Sequence, residues 1–200
     1  MVVTLRSGCF SFDSPVIFHF NNHHQRILRL QEFIIENVLS NHIIKEIMGK
    51  LQDQVDASVF VEHLLPSQGR KKYQQLREDC RRYILRLKNE EIDCFMSYGG
   101  LGEIWHAIRK RVSEEQQYEI LHAMNKLLHE CNVKLNAPEA ETYKRATEIL
   151  ANDTRMKPSD ALRLAEAATL GKERFVTIDQ ELIDNKIIHS KLNLKVVYPH

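Results

Sequence analysis

Hydrophobic and polar positions follow two rhythms along this 200-residue chain. Long stretches repeat apolar residues three or four apart, the spacing of one helix face. Between them lie short, mostly apolar runs of strand length. Val16-Ile17-Phe18-His19-Phe20 predicts a strand closed by the turn signal Asn21-Asn22. From His24 to about Leu39, the positions Ile27, Leu30, Ile34 and Val38 predict a helix. Ser40-Asn41 then precede a second helix carrying Ile43, Ile44, Ile47 and Met48. Residues 1–50 are thus expected to form a partly helical N-terminal extension. Over residues 51–200, strands are predicted ending at Val55 and at Ile92–Met96, Val133–Leu135, Phe175–Ile178 and Leu194–Tyr198. Helices are predicted over about Arg70–Asn89, Gly100–Val112, Glu114–Glu130, Pro138–Leu150 and Pro158–Leu170. The last has Pro near its start and Gly171 just past its end. Strands alternating with helices predict an α/β domain, a parallel sheet with helices on both faces. In such a sheet the site lies at the carboxyl ends of the strands. Leu51-Gln52-Asp53-Gln54-Val55 is more polar than a central parallel strand should be, and it makes Asp53 a fallback acid.

Composition supports a helix-rich globular chain. The hydrophobic fraction is 43%, enough for a sizeable core, and 7 Gly and 5 Pro are few for a turn-rich sandwich. With 28 Lys and Arg against 27 Asp and Glu, the net charge of +1 excludes a polycation or an acidic tail protein. A local basic face remains compatible with it. No apolar run approaches the roughly 18 residues of a membrane helix, and the N-terminus does not read as a signal peptide, so a cytoplasmic protein is expected. Cys9, Cys80, Cys94 and Cys131 are scattered, as free thiols in a reducing compartment are. Asn22-His23-His24 reads as a polar turn, and Trp105 as a core residue.

Four carboxylates stand at element boundaries. Asp56 closes the first strand and Asp179 follows Phe175-Val176-Thr177-Ile178. Glu103 and Asp160 lie in first helical turns, where the helix dipole favours an anion. On its helix Asp160 shares the apolar side with Leu164 and Ala167, while Arg163, Glu166 and Thr169 lie on another side. A carboxylate buried there needs a partner, a cap or a metal. Each acid also has a plain reading. Asp160, Asp179 and Asp56 read as helix caps or turn residues, and Glu103 as a solvated residue turned away from the stripe Leu101, Ile104, Trp105, Ile108 and Val112.

Four blocks together resemble the PIN domain family, especially its small prokaryotic VapC-like members. They are Asp56-Ala57-Ser58-Val59-Phe60, Ser97-Tyr98-Gly99-Gly100-Leu101-Gly102-Glu103-Ile104, Ser159-Asp160-Ala161-Leu162-Arg163-Leu164-Ala165 and Val176-Thr177-Ile178-Asp179. The match runs over about residues 50–200. It implies a three-layer α/β/α sandwich around a central parallel sheet, and metal-dependent ribonuclease activity. Asp56, Glu103, Asp160 and Asp179 match the family's acidic positions, and Ser58 and Thr177 its nearby polar positions. Small members begin near the first strand, so residues 1–47 are expected to be an accessory segment or an over-extended reading frame preceding Met48.

The chemistry suits these residue types. Hard cations such as Mg²⁺ or Mn²⁺ take oxygen ligands, neutralise a phosphodiester and acidify a bound water. Asp56, Asp160 and Asp179 are expected to be the main metal ligands. Glu103 is expected to hold a second ion or orient the water, with Ser58 and Thr177 steadying the carboxylates. Arg70, Lys71, Lys72, Arg77 and Arg81, with Arg109 and Lys110, are candidate RNA-backbone contacts or else solvated helix faces. The expected function is an endoribonuclease, with the toxin of a toxin–antitoxin pair as one role. RNA, a small antitoxin and a second copy of the chain are the expected partners, with no membrane. A catalytically silent module that keeps the fold is the rival, as is a nuclease acting on DNA or in RNA maturation.

Overall fold

The computed structural model describes residues 50–65 and 71–200. The strand and helices predicted before residue 50 lie outside the described residues, as do Cys9 and Arg70. Five strands form one all-parallel sheet: β1 (Leu51–Val55), β2 (Ile92–Ser97), β3 (Lys134–Asn136), β4 (Arg174–Val176) and β5 (Lys195–Val197). Their order is β3-β2-β1-β4-β5. Among the described residues eight helices connect them: α1 (Ala57–Leu64), α2 (Lys71–Lys88), α3 (Tyr98–Arg111), α4 (Glu114–Glu130), α5 (Ala140–Asn152), α6 (Pro158–Thr169), α7 (Gln180–Ile183) and α8 (Lys186–Lys191). The predicted three-layer α/β/α sandwich with a central parallel sheet is the fold observed.

Two apolar clusters cover the two faces of the sheet. One joins Val55, Ile92, Cys94 and Met96 of β1 and β2 to Phe60, Tyr83, Ile84, Ile104, Ile108 and Met124 of α1–α4. The other joins Phe175 and Val196 of β4 and β5 to Ile149, Leu164, Ala165, Leu182 and Ile188 of α5–α8. Cys80, Cys94 and Cys131 are free and buried, and burial pushes the Cys80 thiol up to about 12. Such thiols are chemically quiet.

The polar strand Leu51–Val55 is nonetheless central. Its two buried polar side chains are satisfied on opposite faces of the sheet. Asp53 accepts from Arg174 Nε at 2.8 Å, Arg174 Nη2 at 2.6 Å and Tyr83 Oη at 2.6 Å. Gln54 Oε1 accepts from Asn136 Nδ2 at 3.0 Å. Arg174 is the direct cross-strand neighbour of Asp53. Asp53 is therefore a structural anion within the sheet, and the fallback role in the site is corrected. Trp105 is corrected too: it is 48% exposed, because the buried line on α3 runs through Gly100, Ile104 and Ile108. A Cβ at Gly100 would lie 3.1 Å from the Met96 side chain, so this line depends on a close helix approach. Gly171 ends α6 at φ +63°, with Lys172 N donating to Ala167 O at 2.9 Å, an ordinary glycine C-cap.

Candidate active site

Chain direction reverses at the middle of the sheet. From β1 the chain steps to β2 and β3 on one side, then returns to β4 and β5 on the other. The crevice beyond the carboxyl ends of β1 and β4 is the switch point where α/β sheets bind ligands. Asp56 directly follows β1 and Thr177 directly follows β4. Asp56 N donates to Val176 O at 2.9 Å and locks the two strand ends together. β2 ends one strand away at Ser97, whose Oγ accepts from Gly100 N at 2.8 Å and starts α3 toward Glu103.

Asp56 occupies the N-cap position of α1, yet its carboxylate caps nothing. Oδ2 accepts from Thr177 Oγ1 at 2.9 Å and from Ser58 Oγ. Oδ1 accepts from Arg163 Nη1 at 2.6 Å. Asp160 is likewise no cap, since Lys157 holds that position on α6; its Oδ1 accepts from Arg163 Nη2. Glu103 Oε2 accepts from Arg163 Nη1. Three of the four predicted acids thus close on one guanidinium that is 11% exposed. Burial, followed by the neighbouring charges of Asp56 and Asp160, outweighs Arg163 and raises the Glu103 pKa. The carboxylates in turn hold Arg163 firmly protonated against its own burial.

Asp179 stands outside this cluster. Its Oδ1 accepts from Glu181 N at 2.9 Å and caps α7, and its own N–H donates to Thr177 Oγ1 at 3.1 Å. The cap reading is therefore correct for Asp179. Asp160 and Asp179 still line one cavity of about 660 Å³, together with Asp153, Arg155, Lys157 and Lys186. Arg155 and Lys157 beside these acids went unnoticed in the sequence, although they sit just ahead of the Pro158-Ser159-Asp160 block. Of the basic candidates, Arg77, Arg81, Arg109 and Lys110 are exposed. Arg81 pairs with Glu78 at 3.4 Å, which reduces its free charge. Lys71 and Lys72 lie in the first turn of α2, and their side chains are outside the described residues.

The donor set suits a hard cation in kind, since the acceptors that converge on Arg163 are all carboxylate oxygens. Among the described residues, however, no three Asp, Glu, His or Cys side chains form a group ready to hold a metal ion. The space where Asp56, Glu103 and Asp160 converge is taken by Arg163, a residue that the helical pattern had placed on a different side from Asp160. Among the described residues no helix is long and apolar enough to cross a membrane.

A parallel sheet with an acidic cluster at its switch point defines the class: an α/β/α sandwich with a polar site at the carboxyl edge. No family model and no curated protein matches the chain. Among solved structures, it is similar to a chain in the crystal structure of VapBC2 from Rickettsia felis bound to a DNA fragment from their promoter. The TM-score is 0.50 and the identity 16%, over 74% of this chain and 98% of that one. At that identity the likeness establishes the fold, which agrees with the expected α/β/α sandwich.

Proposed function

We propose that this chain is a Mg²⁺- or Mn²⁺-dependent endoribonuclease hydrolysing RNA phosphodiester bonds, the toxin of a toxin–antitoxin pair. The observation that carries the reading is the convergence of Asp56, Glu103 and Asp160 at the switch point of the sheet. A bound divalent ion would neutralise the scissile phosphate and acidify a water. Asp56, Asp160 and Asp179 are the residues that would hold it. Ser58 and Thr177 fix Asp56 by donating to one oxygen, which leaves the other aimed into the site. Glu103, the most exposed of the three clustered acids at 40%, orients the attacking water and takes its proton, a role suited to its raised pKa. Arg155, Lys157 and Lys186 in the cavity, with Arg109 and Lys110 on α3, attract the RNA backbone. The fold shared with a VapBC2 chain supports a small antitoxin covering the acidic cleft.

One observation favours a second reading. A guanidinium that already pairs with the acids is what a silent module of the same fold would keep. RNA cleavage with Mg²⁺ or Mn²⁺ by wild type and Asp160→Asn decides between them. The nuclease reading expects cleavage by wild type that chelator abolishes, and a loss of at least about a hundredfold in the variant. Undiminished cleavage by the variant, or cleavage in chelator, overturns it.

A further inference from the structure

We infer that Arg163 is the chain's own occupant of the divalent-cation position, so that a metal ion binds only as this guanidinium swings out. The inference rests on the nuclease reading of the same site.

Two nitrogens of one planar group hold one oxygen from each of three acids. Nη1 donates to Asp56 Oδ1 and Glu103 Oε2, and Nη2 donates to Asp160 Oδ1. These are the oxygens turned toward the centre. Charge-assisted N–H···O contacts run at about 2.7–2.9 Å, whereas Mg²⁺ needs oxygens at about 2.0–2.1 Å. Asp56 and Asp160 must therefore contract around a metal ion, and a guanidinium cannot remain among the same oxygens. Charge favours the exchange once metal is abundant: at the centre only the single charge of Arg163 faces three carboxylates, with Lys157 also acting on Glu103, and a divalent ion neutralises more of them.

A second observation bears on how firmly the closed arrangement is held. Arg163 Nε is buried and has no hydrogen-bond partner. A buried donor without an acceptor opposes the state that buries it. The guanidinium is thus held by its two terminal nitrogens alone, beside a cavity that runs past Asp160 and Asp179. A buried arginine serving only as a structural tie is expected to use Nε as well, as Arg174 does on Asp53.

The test is Mn²⁺ binding by isothermal titration to the full chain as wild type, Arg163→Gln and Arg163→Lys, each first checked for folding by circular dichroism. Gln removes the competing charge, and its variant should bind Mn²⁺ at least about tenfold tighter than wild type, with Lys between them. Equal affinity in all three overturns the inference and leaves the nuclease reading standing. No Mn²⁺ binding by any of them overturns that reading and the inference with it. A measurement on the wild type serves if the Gln variant does not fold. Its protected arginine Nε–H signal, followed by NMR, should shift and lose protection as Mg²⁺ is added. A signal unchanged while Mg²⁺ binds overturns the inference.

Discussion

The central strand can be tested most directly through Asp53→Asn, which keeps shape and removes the charge. Asp53 is 0% exposed and receives three hydrogen bonds, two from Arg174 and one from Tyr83. Breaking a buried ion pair from one side costs about 3–5 kcal/mol, because the partner is left uncompensated. Arg174 is 23% exposed, so its guanidinium partly regains water, and the lower end, about 3 kcal/mol, applies. For a chain of this size each kcal/mol shifts Tm by about 2–4 °C, so a fall of roughly 6–12 °C is expected. Tyr83→Phe removes a single donor to the same carboxylate and should cost about 1–2 kcal/mol. The double variant should cost less than the sum, because both changes act on one carboxylate. Far-UV circular dichroism against temperature and urea is the suitable assay, since half-exposed Trp105 reports poorly on the core. An Asp53→Asn variant within about 0.5 kcal/mol of wild type would refute the view that this triad lets a polar strand occupy the centre of the sheet.

Other outcomes follow from single observations. Burial pushes the Glu166 carboxyl up to about 7 from an ordinary 4.5. The folded protein therefore binds a proton more tightly than the unfolded chain between those values, and stability falls as pH rises from about 4.5 to about 7. After allowance for solvent screening the loss should be about 1–2 kcal/mol in wild type and absent in Glu166→Gln, which urea midpoints at pH 5 and pH 7.5 would show. Gly171→Ala places a side chain at φ +63° and should lower stability by about 1–2 kcal/mol in the same unfolding assay. Thr177→Val removes the donor at 2.9 Å from Asp56 Oδ2 and should weaken Mn²⁺ binding by about 10–100-fold, with far-UV dichroism unchanged; unaltered Mn²⁺ affinity would deny Thr177 its orienting role.

The architecture could be read from the sequence because it rests on local periodicity. Helix stretches repeat with period 3.6, and the buried strands stand as short apolar runs. Element ends moved by at most two residues, for local reasons. The helix expected from Pro138 begins at Ala140, where Glu139 N donates to Thr142 Oγ1. The apparent contradiction of a polar central strand dissolves only in three dimensions. Asp53 is sequence-distant from both its partners, Tyr83 and Arg174, so no window over residues 51–55 contains the interactions that permit it. The site divides in the same way. Asp56 and Thr177 were visible because they end strands, and Glu103 and Asp160 because they begin helices, positions that fold topology carries to one edge.

Arg163 was hidden for the opposite reason. A helical wheel separates an apolar side from a polar side, and by that rule Arg163, though only three residues from Asp160, belongs on the polar side. The rule assumes that water covers the polar side. On α6 that side instead faces the carboxyl ends of β1 and β4, where Asp56 and Glu103 from other elements supply the charge that water would have screened. An i,i+3 pair between Asp160 and Arg163 is ordinary on an exposed helix and worth a few tenths of a kcal/mol. Placed against two further acids, buried Asp56 and half-buried Glu103, it becomes the centre of the site. The near balance of 28 basic and 27 acidic residues therefore conceals a local excess of carboxylates that Arg163 and Lys157 offset only in part. That residual negative charge is what the proposed divalent cation would compete to neutralise.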